Sequence, residues 1–222
     1  MEELGFSDEQ MDRARKYLTV DLTFLLNVGI DVPADWVPQA GPLDWPVPGD
    51  YTITSKLFDY GALLFVNFHP VILSGCLDEI LSDLDGFREK TVIEVTESSR
   101  LKLRRCVYDK LKEKGVRIAL DDVGVGDRSF SSICDVEVDY LKVDKGVVRG
   151  ISSGNGNANK YKFLLTFLAE FGEKSGARVI TEGVETSEQV SLTEKIGIEL
   201  MQGFYFSKPK PAEYWVKHNN VI

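Results

Sequence analysis

Cysteine and histidine are scarce in this chain of 222 residues, and that scarcity excludes several kinds of site. The three cysteines, Cys76, Cys106 and Cys134, are odd in number and widely spaced. They match neither a zinc-ligand spacing nor a disulfide framework, so we expect free thiols in a reducing compartment. The two histidines, His69 and His218, are too few for a metal centre built from imidazoles.

Clusters of positive charge and long hydrophobic runs are also missing. The net charge is -9, and no basic cluster offers the lysines and arginines that a nucleic-acid polymer requires as a partner. No apolar run approaches the about 20 residues that span a bilayer, and no signal-peptide pattern opens the chain. The sequence therefore predicts a cytoplasmic protein without a membrane partner. No GxGxxG or P-loop follows an apolar segment, which disfavours a doubly wound nucleotide-binding fold.

Short apolar segments alternate with amphipathic ones from about residue 63 onward. The helical patterns include one that ends at Gly115, one that ends at Gly176 and one that opens on a capping box from Thr186 to Gln189. This alternation predicts an α/β fold whose parallel strands are joined by crossover helices, and we favour a TIM-like (β/α) barrel. The predicted strands are LLFVNF, TVIEVTE, VRIALDDV, DYLKVDK, ARVITEG and ELMQGFYF.

The first sixty residues follow a different pattern. A capping box from Ser7 to Gln10 predicts a helix, whereas TVDLTFLL suits either a continuation of that helix or a strand. Residues 32–50 are rich in proline and tryptophan, and because tryptophan favours burial we expect structure there. We therefore predict one domain, with an atypical segment 1–60 packed on a barrel formed by residues 61–222. Whether that segment supplies the first strand of the barrel stays open.

Polar residues lie at or near the carboxyl end of almost every predicted strand. In a closed parallel barrel those ends converge on one mouth, where active sites lie. Taken singly, each acid is explained by a helix cap or a surface ion pair, but the whole set favours a site. Lys142 stands between Leu141 and Val143 and is expected to face the barrel interior. Oxygen ligands suited to Mg²⁺ or Mn²⁺ follow three of the strands: Asn67, Glu94, Asp121 and Asp122.

Five strings, in order and at matching spacing, resemble the EAL domains of bacterial cyclic-di-GMP phosphodiesterases. They are VIEVTES, IALDDVGVGDRSFSSI, VDYLKVDKGVV, VITEGVETSEQ and MQGFYFSKP, and FVNFHP fits an additional strand. The resemblance covers roughly residues 63 to 211. It implies a TIM-like barrel in which one strand is antiparallel, and Mg²⁺- or Mn²⁺-dependent opening of cyclic-di-GMP to linear pGpG.

The resemblance also implies roles for individual residues. Asn67, Glu94 and Asp121 would bind one metal ion, and Asp121 would bridge to a second ion with help from Asp122. Lys142 would orient or activate the attacking water. Glu182 would act at the same centre as a ligand or a base, and Gln202 would support it. Glu97 would anchor the loop from Asp122 to Arg128.

Two departures from the family pattern bear on activity. The tripeptide Glu-Ala-Leu does not occur in the chain, and the loop that usually reads DDFGTG reads DDVGVG. We therefore predict a degenerate EAL-domain protein whose hydrolysis of cyclic-di-GMP is impaired or lost. Such a protein would act as a cyclic-di-GMP-binding or regulatory protein. The alternatives are an active phosphodiesterase with a substitute ligand from the N-terminal segment, and a protein-interaction module without nucleotide. A homodimer through the altered loop and a protein partner are further expectations.

Overall fold

The computed structural model describes residues 23–26, 62–68, 70–75, 77–96, 105–124, 131–153 and 156–206. Several predictions lie outside these residues. They concern the N-terminal capping box, the proline- and tryptophan-rich stretch, Cys76, both histidines, the loop at 125–130 and the proposed anchor Glu97. The packing of segment 1–60 on the barrel likewise stays a prediction.

Within the described residues, seven strands form one sheet in which spatial order follows chain order. Strand β1 is antiparallel to β2, with Thr23 opposite Phe65 and Leu26 opposite Ala62, and each later pair is parallel. The prediction of an α/β fold with one antiparallel strand is confirmed, and part of TVDLTFLL is a strand. The bounds are β1 Thr23–Leu26, β2 Ala62–Asn67, β3 Thr91–Thr96, β4 Arg117–Val123, β5 Tyr140–Val143, β6 Arg178–Thr181 and β7 Leu200–Met201.

Helices connect the parallel strands. They are α1 Pro70–Gly75, α2 Leu77–Asp83, α3 Arg105–Glu113, α4 Ser131–Cys134, α5 Lys145–Ser152, α6 Ala158–Ser175 and α7 Ser187–Ile196, with a 3₁₀ turn at Arg88–Lys90. The predicted capping box of α7 is present, and α6 ends at Gly176 in the left-handed conformation at φ 78°. Within the described ranges, no helix combines the length and the apolar character needed to cross a bilayer.

Two helices have boundary signals that the sequence analysis overlooked. Helix α1 begins at Pro70, whose fixed φ suits the first helical position. Helix α5 is capped by Asp144, whose Oδ1 accepts a hydrogen bond from the Gly146 amide at 2.6 Å. Asp144 is therefore a helix cap at the end of β5.

The two faces of the sheet are buried in different ways. On the outer face, Leu141 and Val143 of β5 belong to one buried apolar cluster with Leu165 and Leu168 of α6. On the inner face, an apolar cluster contains Leu63, Phe65, Val92, Ala119, Tyr140 and Ile180. Because successive side chains of a strand alternate between faces, Lys142 shares the inner face with Tyr140.

Candidate functional site

A buried lysine contacts three carboxylates on the inner face of the sheet. Lys142 Nζ lies 2.6 Å from Glu94 Oε1, 2.7 Å from Glu182 Oε1 and 3.1 Å from Asp121 Oδ1. The Lys142 side chain is only 4% exposed and that of Glu94 only 1%. We call Lys142, Glu94, Asp121 and Glu182 the acidic cluster. Ions removed from water to this degree are stable only when they are closely paired.

Parallel strand ends bring the acidic cluster together. Glu94 lies in β3 and Asp121 in β4, where the pairing register aligns Glu94 with Ala119 and Thr96 with Asp121. Glu182 directly follows β6, and its amide donates a hydrogen bond to the Val143 carbonyl of β5 at 3.0 Å. Each acid therefore projects from the same end of the sheet as Lys142.

A β-bulge lies at the two adjacent aspartates. The register between β4 and β5 shifts between Leu120 and Val123, and Asp122 has a φ of 60°, in the left-handed region. Asp121 Oδ1 accepts a hydrogen bond from the Asp122 amide at 3.0 Å. Bulges of this kind redirect side chains. Here the bulge leaves Asp121 buried in the acidic cluster while Asp122 is only half-buried.

Gln202 lies at the next strand end and carries a buried acceptor. Its backbone joins the neighbouring segment, since the Gln202 amide donates to the Thr181 carbonyl at 2.8 Å and the Gln202 carbonyl accepts from the Val184 amide at 3.0 Å. Its side-chain Oε1 is buried and receives no hydrogen bond from the described residues. A buried acceptor of this kind indicates a place for a donor or a cation.

Burial and mutual repulsion dominate the electrostatics of the acidic cluster. Burial raises the pKa of Glu94 from 4.5 to about 8, against the attraction of Lys142 and with a further increase from the charge of Asp121. Burial also raises the pKa of Glu182. Burial alone would lower the pKa of Lys142, but the charges of Glu94, Glu182 and Asp121 outweigh it and hold that pKa well above 10.5. Three carboxylates facing one ammonium leave an excess of negative charge when all are ionised.

Replacement of Glu94 by glutamine is expected to flatten the pH dependence of stability. Because its pKa is raised to about 8 in the folded protein, Glu94 binds a proton more tightly there than in the unfolded chain. Its contribution to the free energy of unfolding therefore falls as the pH rises from about 4.5 to about 8. Urea unfolding across this pH window should show a smaller decline in the free energy of unfolding for Glu94→Gln than for the wild type.

The matched control is Glu79→Gln, because Glu79 is exposed on α2. It should keep the pH slope of the wild type. Equal slopes for the wild type and Glu94→Gln would contradict the raised pKa of Glu94.

Comparison with known proteins identifies the family. The model of the EAL domain matches residues 65–209, which is more than half of the chain. The chain belongs to the EAL domain family. The predicted resemblance is thus confirmed from within β2 through β7, a span that includes the acidic cluster.

Relatives of this EAL domain include proteins with names from cyclic-di-GMP signalling. The probable cyclic di-GMP phosphodiesterase PdeG of Escherichia coli K12 is 32% identical over 165 residues, covering 71% of this chain and 32% of PdeG. The chain spans about a third of the length of these curated relatives that it matches.

Solved structures agree with the fold. A manganese and cyclic-di-GMP complex of Klebsiella pneumoniae BlrP1 aligns with a TM-score of 0.64 and 29% identity, over 72% of this chain and 42% of BlrP1. The EAL domain of Mycobacterium smegmatis DcpA aligns at 0.63 and 26% identity, over 70% of this chain and 71% of that one. The prediction of an EAL-type, TIM-like barrel is therefore confirmed.

The EAL domain brings four of the predicted site residues into direct contact, namely the members of the acidic cluster. Asn67 is half-buried at the end of β2 and pairs in register with Glu94. Asp122 is close enough for its charge to contribute to the raised pKa of Glu182. Lys142 faces the interior as its alternation with Leu141 and Val143 predicts, and its ion pairs with three carboxylates add a contact that the predicted role at an attacking water did not specify.

The donor set suits a hard divalent cation in its chemistry. Carboxylate and amide oxygens are the ligands that Mg²⁺ and Mn²⁺ prefer, and the excess negative charge and the Gln202 acceptor both favour a cation. Among the described residues, however, no three acidic, histidine or cysteine side chains are arranged to hold a metal ion. The Lys142 ammonium occupies the point on which the carboxylates of the acidic cluster converge.

Proposed function

We propose that this EAL domain binds cyclic-di-GMP at the carboxyl end of its strands with Mg²⁺ or Mn²⁺, and that its hydrolysis to pGpG is impaired or lost. In that case it acts as a cyclic-di-GMP-binding or regulatory protein. The observation that carries the proposal is the assembled acidic cluster in a chain that lacks the Glu-Ala-Leu tripeptide. The cluster supports ligand binding, and the missing tripeptide supports weak catalysis.

Binding is favoured because the acidic cluster is expensive to bury without a ligand. The family resemblance assigns Asn67, Glu94, Asp121 and Asp122 to the cation, and Gln202 lies at the neighbouring strand end. A bound divalent ion neutralises phosphate charge and lowers the pKa of a coordinated water. It would also allow a protein with a net charge of -9 to attract an anionic ligand.

The residues of the acidic cluster have distinct chemical capacities. Lys142 stays protonated at neutral pH because its pKa is held above its ordinary value, so it can donate to a water or a phosphoryl oxygen but cannot serve as a base. Glu182 has a raised pKa, and a carboxylate closer to neutrality is a better proton acceptor. These properties agree with an orienting role for Lys142 and a base or ligand role for Glu182.

Impaired hydrolysis follows from the missing glutamate of the family motif. Mg²⁺ requires a nearly complete octahedron of oxygens, so a lost carboxylate weakens its site, although water can fill the vacancy. The family resemblance places an arginine that contacts phosphate near the same motif. Loss of such a charge-assisted contact costs about 1.5–3 kcal/mol. Both losses fall on the same site and reduce turnover.

An active phosphodiesterase is the second candidate. It is favoured by the contact of Lys142 with Glu94, Asp121 and Glu182, which are three of the carboxylates to which the resemblance assigns roles. A carboxylate of the N-terminal segment would then replace the missing ligand. A homodimer and a protein partner remain predictions.

The first experiment separates these functions. Titration with cyclic-di-GMP in Mn²⁺ is expected to give saturable binding that weakens roughly tenfold or more in Asp121→Asn, because one charged ligand is lost. Chromatography of the same mixtures is expected to show little or no pGpG. The matched control is Asp109→Asn, which removes an exposed acid of α3 and should bind like the wild type.

The other outcomes are equally informative. Formation of pGpG by the wild type but not by Asp121→Asn would establish the active phosphodiesterase. Absence of both binding and turnover would refute the proposal and favour an interaction module without nucleotide.

A further inference from the structure

A cavity opens at the opposite end of the sheet from the acidic cluster. Its volume is about 410 Å³, and three cationic side chains line it together with Asp139 and Tyr140. The cations are Lys90, Arg117 and Arg178, and we call them the basic rim.

The strand register explains why the basic rim forms. Arg117 and Arg178 are the first residues of β4 and β6, and Lys90 immediately precedes β3. Parallel strands begin at the same edge, so these residues meet there, as Tyr140 does through its pairing with Arg178. The basic rim is therefore as much a product of the parallel sheet as the acidic cluster.

Alternation along the strands divides the inner face into three layers. Arg117, Ala119 and Asp121 are spaced by two in β4, so they share one face. Arg178, Ile180 and Glu182 follow the same spacing from the start of β6. The first layer is thus basic and the last acidic, with the buried apolar cluster of Ala119 and Ile180 between them. The cavity and the acidic cluster are chemically separate.

The described residues offset only part of the positive charge of the basic rim. Asp139 is the only acid among them that lines the cavity, so three cations face one carboxylate, whose Oδ2 accepts a hydrogen bond from the Ile118 amide at 2.9 Å. Other cations of the described chain, such as Lys112 and Arg149, pair with acids at 3.1 and 2.9 Å. Lys90, Arg117 and Arg178 have no such ion pair with described residues. Three cations that share one concave surface repel each other and attract an anion.

We propose that the basic rim binds a small phosphate-bearing anion of up to nucleotide size. The guanidinium groups of Arg117 and Arg178 match phosphate oxygens in a bidentate manner, and the Lys90 ammonium adds a point charge. A cavity of about 410 Å³ lies within the usual range for small-molecule sites. The Tyr140 ring, which packs edge-on against Phe65 at 5.2 Å, forms an apolar wall beside the anion. The site is independent of the proposed function.

The test is a calorimetric titration of the full chain with inorganic pyrophosphate at low ionic strength, with EDTA to remove divalent ions. The wild type should bind saturably. The double variant Arg117→Gln/Arg178→Gln should bind roughly tenfold or more weakly, since it loses two charge-assisted contacts. The matched control Arg105→Gln/Arg149→Gln removes the same charge from exposed positions outside the cavity and should bind within about threefold of the wild type.

Two results would overturn the proposal. They are an absence of saturable binding by the wild type, and equal weakening in both double variants. Urea unfolding verifies that the double variant is folded. Lys90→Gln is the second variant, because Lys90 lies outside the strands and its replacement leaves the sheet intact. It should also weaken pyrophosphate binding severalfold.

Discussion

Replacement of Lys142 by methionine is expected to destabilise the fold by about 3–5 kcal/mol near neutral pH, because it removes one partner from a buried ionic cluster. Methionine approximates the length of lysine and fills its space, so the lost stability reflects charge rather than a cavity. Glu94, Asp121 and Glu182 would then face each other without the ammonium that lies within 3.1 Å of each. Urea unfolding at several pH values measures the effect.

The pH dependence of Lys142→Met identifies its cause. Without the ammonium, the carboxylates take up protons more readily in the folded protein than in the unfolded chain. The free energy of unfolding must then fall as the pH rises above about 5, and the loss relative to wild type should be largest near pH 8. The matched control is Lys112→Met, whose exposed ion pair with Glu137 should cost at most about 1 kcal/mol. An equal loss at pH 5 and pH 8 would show that packing, not charge, governs the position.

Replacement of Gly203 by alanine is expected to cost roughly 3 kcal/mol and to disturb the site, because the added methyl group has no space. A Cβ at this position would lie 2.1 Å from the Val184 carbonyl oxygen and 2.4 Å from the Val184 amide nitrogen. Both are backbone atoms, so no rotamer change relieves the clash. Val184 follows Glu182 by two residues, and its amide donates to the Gln202 carbonyl. The displaced backbone therefore carries Glu182 and Gln202.

Gly156→Ala is the matched control for this substitution. A Cβ at Gly156 meets no atom within 4 Å, so the same chemical change should alter the free energy of unfolding by less than about 1 kcal/mol. Thermal unfolding and the cyclic-di-GMP titration should be run on both variants. Unchanged stability and binding in Gly203→Ala would show that the close approach of residues 184 and 203 is not needed for the site.

Much of the site was predictable because it depends on local periodicity. The alternation Leu141, Lys142, Val143 predicts an inward lysine, and a parallel sheet collects strand ends at one edge. Acids that end such strands must then lie near that lysine. The same periodicity places Arg117 and Arg178 at the other edge, but the importance of that layer became visible only when the cavity and the missing ion pairs were known.

Other features depend on contacts between distant residues. The segment TVDLTFLL suits a helix or a strand on its own, and pairing with β2 over residues 62–65 favours the strand. The bulge at Asp122 likewise requires β5 alongside β4, because a register shift exists only between two strands.

The order and type of the secondary-structure elements, and the family, are therefore determined by the sequence alone, since hydrophobic period, helix caps and strand-end residues are local signals. The contact of one ammonium with three carboxylates, the raised pKa of Glu94 and the separation of acidic and basic layers came from folding. They arise from burial and from distances between strands, and these exist only when residues far apart in sequence share one desolvated interior.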